Sequence, residues 1–217
     1  MAEGADVLRY RNVELGRILS DSIVPSIETL LKKASLDFRK IDVFCAGLGP
    51  GSFTSLRVGI STVKAFADAL RKPVAGVSSL DVIAQGVFQK TRKDICVFSD
   101  ARRKMVYTAM YKNREGSLAR MSDYTLRDPA DVLKKIKGPV LFVGDGIGLY
   151  RNEIRKYCKH AELTEDKDWY PQARHMPALL EERLREKKFD DAEFLTPLYL
   201  YPEDCQVTFK KKKETTI

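Results

Sequence analysis

A glycine-rich segment between an apolar run and an amphipathic stretch constrains this chain most. Residues 41–46 are mostly apolar and partly β-branched, which is typical of a buried strand. Gly47-Leu-Gly-Pro-Gly51 predicts that the strand ends and the backbone turns, so Gly47, Gly49, Pro50 and Gly51 are interpreted as structural turn residues. Ser52 can cap a helix that continues to Leu70, because apolar residues recur at spacings of three and four. They are Phe53, Leu56, Ile60, Val63, Ala67 and Leu70.

This predicted helix carries more apolar surface than one sheet can cover. Its charged and polar stripe is narrow, so the arc without charge spans about 240°. We expect Phe53, Leu56, Ile60 and Val63 to pack on the chain's own sheet. Something else should cover the adjacent side, either an earlier helix of this chain or a partner protein. The residues predicted for that interface are Ile23, Ile27 and Leu31 on the first helix, and Ser55, Gly59, Thr62 and Phe66 on the second.

The order of predicted elements indicates two small α/β domains. Residues 41–98 alternate strand, helix, strand, helix, strand, which favours one parallel layer in a domain of residues 1–98. A second domain, residues 99–200, begins with alternating residues and a hairpin turn near Asn113 and contains a strand at 140–143. Residues 201–217 form a basic tail. Ser22 is the predicted cap of the first helix.

Composition and motif spacing argue against several classes of function. The formal net charge of +8 permits binding to nucleic acid, but no aromatic RNA-binding motif accompanies it. The two histidines, His160 and His175, lack the spacing of a metal pair, and the four cysteines form no Cys-x-x-Cys motif. Reduced thiols in a cytoplasmic protein are therefore favoured. No apolar run is long enough to span a membrane.

The glycine loops do not match phosphate-binding motifs. No Lys-Ser or Lys-Thr pair follows Gly51, and Gly144-Asp-Gly-Ile-Gly148 also misses the required spacing, so both are interpreted as strand-to-helix turns. Asp100, Arg102 and Arg103 form a charged cluster. This cluster can bind an anion, although an interdomain salt bridge is the favoured interpretation.

The segment from Gly49 to Gly59 resembles the signature of the TsaB (YeaZ) family. It reads Gly-Pro-Gly-Ser-Phe-Thr-Ser-Leu-Arg-Val-Gly, with Ser55 where the family usually has Gly. Similar family features are Asp-Ala-Arg followed by Val-Tyr from Asp100, Gly-Asp-Gly from Gly144, and a late Pro-x-Tyr-Leu from Pro197. The resemblance covers nearly the whole chain. It departs at Tyr201, where the family has Arg, and at the start, where the family's first strand with Asp-Thr-Ser has no match.

The resemblance implies an actin-like ATPase fold of the ASKHA, ribonuclease H-like type. It also implies a non-catalytic subunit that dimerises with a TsaD-like threonylcarbamoyltransferase and supports modification of adenosine 37 in transfer RNA. ATP and metal are then expected on the TsaD-like partner and no cofactor on this chain alone. A TsaE-like ATPase and a second copy of the chain are further candidate partners, with tRNA contacted through the complex. The alternative functions are a stand-alone actin-like ATP-binding enzyme, a glycoprotease-like hydrolase, and a nucleic-acid-binding module.

Overall fold

The structure is a computed structural model that describes residues 1–12, 19–114 and 116–201. Helices and strands alternate over most of this length. In chain order the elements are β1 (Ala2–Glu3), β2 (Asp6–Val7), α1 (Leu19–Lys33), β3 (Phe44–Gly49), α2 (Phe53–Leu70), β4 (Val74–Ser78), α3 (Ser79–Gln85), β5 (Asp94–Asp100), β6 (Val106–Arg114), β7 (Ser117–Arg120), β8 (Thr125–Arg127), α4 (Pro129–Leu133), β9 (Val140–Val143), α5 (Gly146–Tyr157), β10 (Glu162–Leu163) and α6 (Met176–Arg185).

The first sheet pairs β3 with β4 in parallel, starting from Phe44 opposite Val74. Its glycine-rich end differs from the sequence prediction, because β3 continues through Gly47 and ends at Gly49. An irregularity in the pairing between Gly47 and Gly49 lets the strand absorb the glycines. The prediction that the strand ends before Gly47 is therefore wrong, and the turn begins at Pro50.

The second sheet has the order β10-β9-β5-β6-β7, with β8 also paired to β6. Here β5 runs parallel to β9 and antiparallel to β6. The expectation that β5 joins β3 and β4 in one parallel layer is wrong, because β6 occupies one edge of β5 and β9 occupies the other. The predicted domain boundary between residues 98 and 99 lies inside β5.

The segment after α6 returns to the first sheet. The backbone N–H of Asp190 donates to the Val74 carbonyl at 2.9 Å, and that of Leu198 donates to the Leu48 carbonyl at 2.7 Å. Leu195 is buried in a cluster with Ile60 of α2. The end of the predicted second domain thus packs on the first sheet, which the sequence patterns did not indicate.

Two further predictions concern local features. Ser22 lies within α1 instead of capping it, since the described helix already includes Leu19.

Cys45, Cys96 and Cys158 are free thiols, whereas Cys205 lies outside the described residues. Burial raises the pKa of Cys96 to about 12, so its sulfur stays protonated at neutral pH. In the part of the chain that the structure covers, no helix combines the length and apolar character that crossing a membrane requires.

Candidate partner interface

The start of α2 is fixed by the turn that precedes it. Ser52 is the N-cap, and its hydroxyl accepts a hydrogen bond from the Ser55 backbone N–H at 3.5 Å, as the sequence predicts. Gly49 has φ +97°, and a Cβ there would lie 2.7 Å from Leu56 Cδ1. The Gly49 carbonyl accepts a hydrogen bond from the Ser78 hydroxyl at 3.2 Å. The turn therefore needs glycine at this position and joins α2 to the end of β4.

Helix α1 packs against α2, which brings the two sets of predicted interface residues onto neighbouring helices. On α1, Ile23 and Ile27 are half-buried and Leu31 is buried at 3% exposure. On α2, the predicted residues Ser55, Gly59, Thr62 and Phe66 are all partly exposed. The first half of α1 therefore keeps exposed apolar surface, whereas Leu31 in the second half is buried inside this chain.

The four predicted residues on α2 have different surroundings. Phe66 packs inside the chain, with its ring centroid 4.9 Å from Phe38 and 5.8 Å from Phe44. The Thr62 hydroxyl donates to the Val58 carbonyl at 2.8 Å, within its own helix. This hydroxyl therefore needs no acceptor from another molecule. At Gly59, no described atom other than those of the adjacent residues and the helix's own backbone lies within 4 Å of the place that a Cβ would take. The open part of this face is therefore centred on Gly59 rather than on Phe66.

An aromatic group at the start of α2 is a feature that the sequence patterns missed. Phe53 is 54% exposed and stacks on Tyr199 of the returning C-terminal segment at 5.4 Å, so the expectation that it packs on the sheet is wrong. Arg57 lies 3.9 Å over the Phe53 ring and its Nε donates to the Tyr199 hydroxyl at 3.1 Å. Aromatic residues with arginine are the types enriched at binding hot spots. The only advance indication was the chain position of Phe53 in the first turn of the helix.

A cavity of about 630 Å³ lies between the first sheet, α6 and the returning segment. Its charged lining consists of Arg183 with Asp81, Asp190 and Asp191. Arg183 pairs with Asp190 at 2.9 Å and donates to the Gly76 carbonyl at 3.1 Å. The charge of this arginine is thus neutralised within the chain, and the remaining carboxylates disfavour a phosphate in the cavity.

Asp81 joins α3 to the second sheet across the edge of this cavity. Its two carboxylate oxygens accept hydrogen bonds from the hydroxyls of Tyr111 at 2.8 Å and Tyr124 at 2.6 Å. Burial and the Asp81 charge raise the pKa of both tyrosines, so both remain protonated donors. Because Asp81 is engaged on both oxygens, the arrangement is that of a structural link rather than a free catalytic acid.

The remaining candidate groups are placed as follows. Among the described residues, no group of three or more His, Cys, Asp or Glu side chains could hold a metal ion. Arg102 pairs with Asp100 at 3.2 Å within one turn and is 87% exposed, so this salt bridge is not between domains. Gly144-Asp-Gly146 is a strand-to-helix turn, and Asp145 accepts hydrogen bonds from the Ser99 hydroxyl and the Asp100 N–H.

Comparison with known sequences identifies the family. The sequence model of the family described as "TsaD: tRNA N6-adenosine threonylcarbamoyltransferase" matches residues 14–208. The chain belongs to this family. Bacillus subtilis (strain 168) has a similar protein named "tRNA threonylcarbamoyladenosine biosynthesis protein TsaB", 31% identical over 134 residues, which are 60% of this chain and 58% of the relative. The protein of the same name from Escherichia coli (strain K12) is 33% identical over 97 residues, 44% of this chain and 42% of the relative.

The chain spans about half the length of these curated relatives. Among solved structures, YeaZ from Pseudomonas aeruginosa aligns with a TM-score of 0.73 at 24% identity and covers 86% of each chain. Together with the family match, this structural similarity confirms the predicted actin-like fold. The named relatives and YeaZ also confirm the resemblance to TsaB that the Gly49–Gly59 segment indicates.

Proposed function

We propose that this chain is a non-catalytic subunit of a complex that makes threonylcarbamoyladenosine on transfer RNA. It pairs with a TsaD-like enzyme through α1 and α2 and thereby supports the transfer reaction. The observation that carries the proposal is the open space at Gly59 of α2, on a helix that packs against α1 with its half-buried Ile23 and Ile27. A helix with a glycine and small residues on such a face allows a second helix to approach closely. The names of the relatives supply the reaction to which the pairing belongs.

The cavity lining supports assigning catalysis to the partner. Its arginine is paired with Asp190 and so is not prepared to bind a nucleotide phosphate, and Asp81 is held by two tyrosines and so is not prepared to hold the accompanying magnesium ion. ATP and metal are therefore proposed to bind the TsaD-like subunit and not this chain alone. A TsaE-like ATPase and a second copy of this chain are proposed as further partners, and a cytoplasmic location follows from the tRNA substrate. The alternative function, a stand-alone ATP-binding enzyme, requires the isolated chain to bind ATP saturably. Titration of the isolated chain with ATP and Mg²⁺ tests this.

The pairing is tested by replacing Gly59→Arg. The arginine places a charged side chain in the open space and should weaken association by several kcal/mol, because the buried charge lacks a partner. The isolated chain should keep its fold, since the side chain has room there and arginine favours helix more than glycine does. The measurements are circular dichroism of the free chain and co-elution with the TsaD-like protein.

Ser61→Arg is the matched control, because Ser61 lies exposed on the polar stripe of the same helix. It should leave co-elution unchanged. Unfolding of the Gly59→Arg chain would show that this face is internal core. Normal co-elution of a folded Gly59→Arg chain would place the partner on another surface.

A further inference from the structure

The turn between β5 and β6 carries three consecutive basic residues in a left-handed backbone conformation. The φ angles are +65° at Arg102, +51° at Arg103 and +60° at Lys104. The backbone N–H of Met105 donates to the Arg102 carbonyl at 2.9 Å, which closes a four-residue turn with Arg103 and Lys104 at its centre. Positive φ at both central positions is the geometry of a type I′ hairpin turn.

The residue types at this turn oppose its geometry. Type I′ turns favour Asn-Gly, because residues with long side chains are strained in the left-handed region. Interactions outside the turn centre hold it in place. Asp100 accepts a hydrogen bond from the Arg102 N–H at 2.8 Å, and the Tyr201 hydroxyl donates to the Ala101 carbonyl at 2.7 Å. Strain that is held by surrounding contacts occurs mainly where the strained residues serve binding or catalysis.

The turn presents concentrated positive charge to solvent. Arg102, Arg103 and Lys104 are all exposed, with the Arg102 side chain 87% exposed. Asp100 pairs with Arg102 and is itself only 8% exposed. Arg127 of β8 lies opposite Val106 of β6 and adds an exposed cation at the same end of the sheet. The guanidinium of Arg103 lies 5.8 Å from the Tyr201 ring centroid, which gives it an aromatic support.

We propose that this turn, Arg102-Arg103-Lys104, is a contact site for the phosphate backbone of RNA. Arginine and lysine projecting from a short hairpin can reach adjacent phosphates, and such contacts position a nucleic acid without reading its sequence. RNA is favoured over an acidic protein because the proposal rests on the function proposed above, in which a tRNA is the substrate of the complex. The turn belongs to the β5–β6 hairpin and Gly59 to α2, so separate substitutions alter the two sites.

The test separates charge from strain. In the full chain, Arg103→Asn with Lys104→Gly should raise the melting temperature by a few degrees, because the new residues suit the turn. The same variant should bind a tRNA transcript roughly tenfold more weakly and lower the slope of log K against log salt by about 2. A second variant, Arg103→Gln with Lys104→Gln, keeps side chains of similar length. It should lose RNA affinity equally without the gain in melting temperature.

The control uses two other exposed basic residues with positive φ. Arg71 has φ +51° and Lys187 has φ +54°, and both follow helices outside the β5–β6 turn. Arg71→Asn with Lys187→Gly removes the same charge and relieves the same kind of strain. It should also raise the melting temperature but change RNA affinity by less than about twofold.

The outcomes distinguish this proposal from the proposed pairing. Equal loss of RNA binding in the control would show that net charge alone is responsible and overturn the site. Loss only after removal of residues 202–217 would overturn it in favour of the tail. If the turn variants keep RNA binding but no longer co-elute with the TsaD-like protein, the turn docks protein instead. Failure of the wild-type chain to co-elute would contradict the pairing alone, because RNA binding is measured on the full chain by itself.

Discussion

The chain contains two glycine-rich strand-to-helix turns, one loosely packed and the other tightly packed. The first runs from β3 through Gly49 to the Ser52 cap of α2, and the second from β9 through Gly144-Asp-Gly146 into α5. Around the first turn, a Cβ on Gly49 would lie closest to the end of the Leu56 side chain, at 2.7 Å, with the Gly51 backbone nitrogen at an ordinary contact distance of 3.5 Å, and Gly51 has open space. Around the second, a Cβ on either Gly144 or Gly146 would lie 2.6 Å from the Phe98 carbonyl oxygen.

The helices that follow differ in the same way. In α5, Ile147 and Ile154 are fully buried in the cluster around Phe98 and Phe142. In α2, Ile60 is buried, but Phe53 is 54% exposed and Gly59 faces open space. Both helices keep an exposed apolar residue, Leu149 at 62% in α5 and Phe53 at 54% in α2. The difference is at the glycines: a Cβ on Gly146 or Gly148 of α5 would meet Phe98 or Trp169, whereas a Cβ on Gly59 of α2 would enter open space, where we propose that a partner packs. Similar turn sequences therefore do not indicate similar roles, because the role depends on what packs against the helix.

The largest effect expected from this comparison is at Gly144. Gly144→Ala adds a methyl group 2.6 Å from a backbone oxygen at φ +121°. Neither the strand nor the turn can move aside easily, so the free energy of unfolding should fall by roughly 3 kcal/mol. Urea denaturation measures this change. Gly138→Ala is the control for conformation alone, with φ +96° and no described atom within 4 Å of the added Cβ, and should cost only about 1 kcal/mol.

The next effect is at Asp145, which ties the second turn to β5. Its carboxylate accepts hydrogen bonds from the Ser99 hydroxyl at 2.7 Å and the Asp100 N–H at 2.8 Å. Asp145→Ala should lower the free energy of unfolding by about 2 kcal/mol, because a partly buried N–H loses its acceptor. A Ser99→Ala, Asp145→Ala double-mutant cycle measures the coupling. Additive losses would mean that the Ser99 hydrogen bond contributes nothing specific.

A smaller effect is expected at the first turn, where Gly49→Ala should cost about 1–2 kcal/mol. The φ of +97° strains alanine, but the nearest atom is Leu56 Cδ1, which can shift. Gly51→Ala, two residues later, should be nearly neutral because the added Cβ meets open space. A loss at Gly49 as large as that at Gly144 would remove the proposed difference between the two turns.

The smallest effect concerns the cap of α2. Ser52→Ala removes the acceptor for the Ser55 N–H and the hydroxyl contact of 3.1 Å with Ser55. The expected loss is about 0.5–1 kcal/mol, since the exposed N–H can bind water instead. Thermal denaturation should detect it, and Ser61→Ala on the same helix should show no loss. An unchanged melting temperature for Ser52→Ala would show that the turn alone fixes the start of α2.

The sequence by itself determined the local elements of the central unit. Glycine and serine chemistry with the 3–4 spacing of apolar residues predicts α2 and its Ser52 cap, and the structure has both. The Gly49–Gly59 motif also indicated the family, which the comparisons confirm. The seven interface residues remain a prediction. The structure shows that the Phe66 ring already packs against Phe38 and Phe44 of this chain.

Only the tertiary structure decided how these elements are shared between the sheets. β5 reads as a third parallel strand after α3, yet it forms a hairpin with β6 and pairs in parallel with β9. The pairing with β9, which places Asp94 opposite Val140, leaves no local sequence pattern because the two strands are far apart in the chain. The return of Leu195 and Tyr199 onto α2 likewise depends on contacts more than a hundred residues apart in sequence. The periodicity of apolar residues shows which side of a helix is apolar. Whether a residue on that side is buried depends on the distant segments that pack against it, and this decides the exposure of Phe53 and the open space at Gly59.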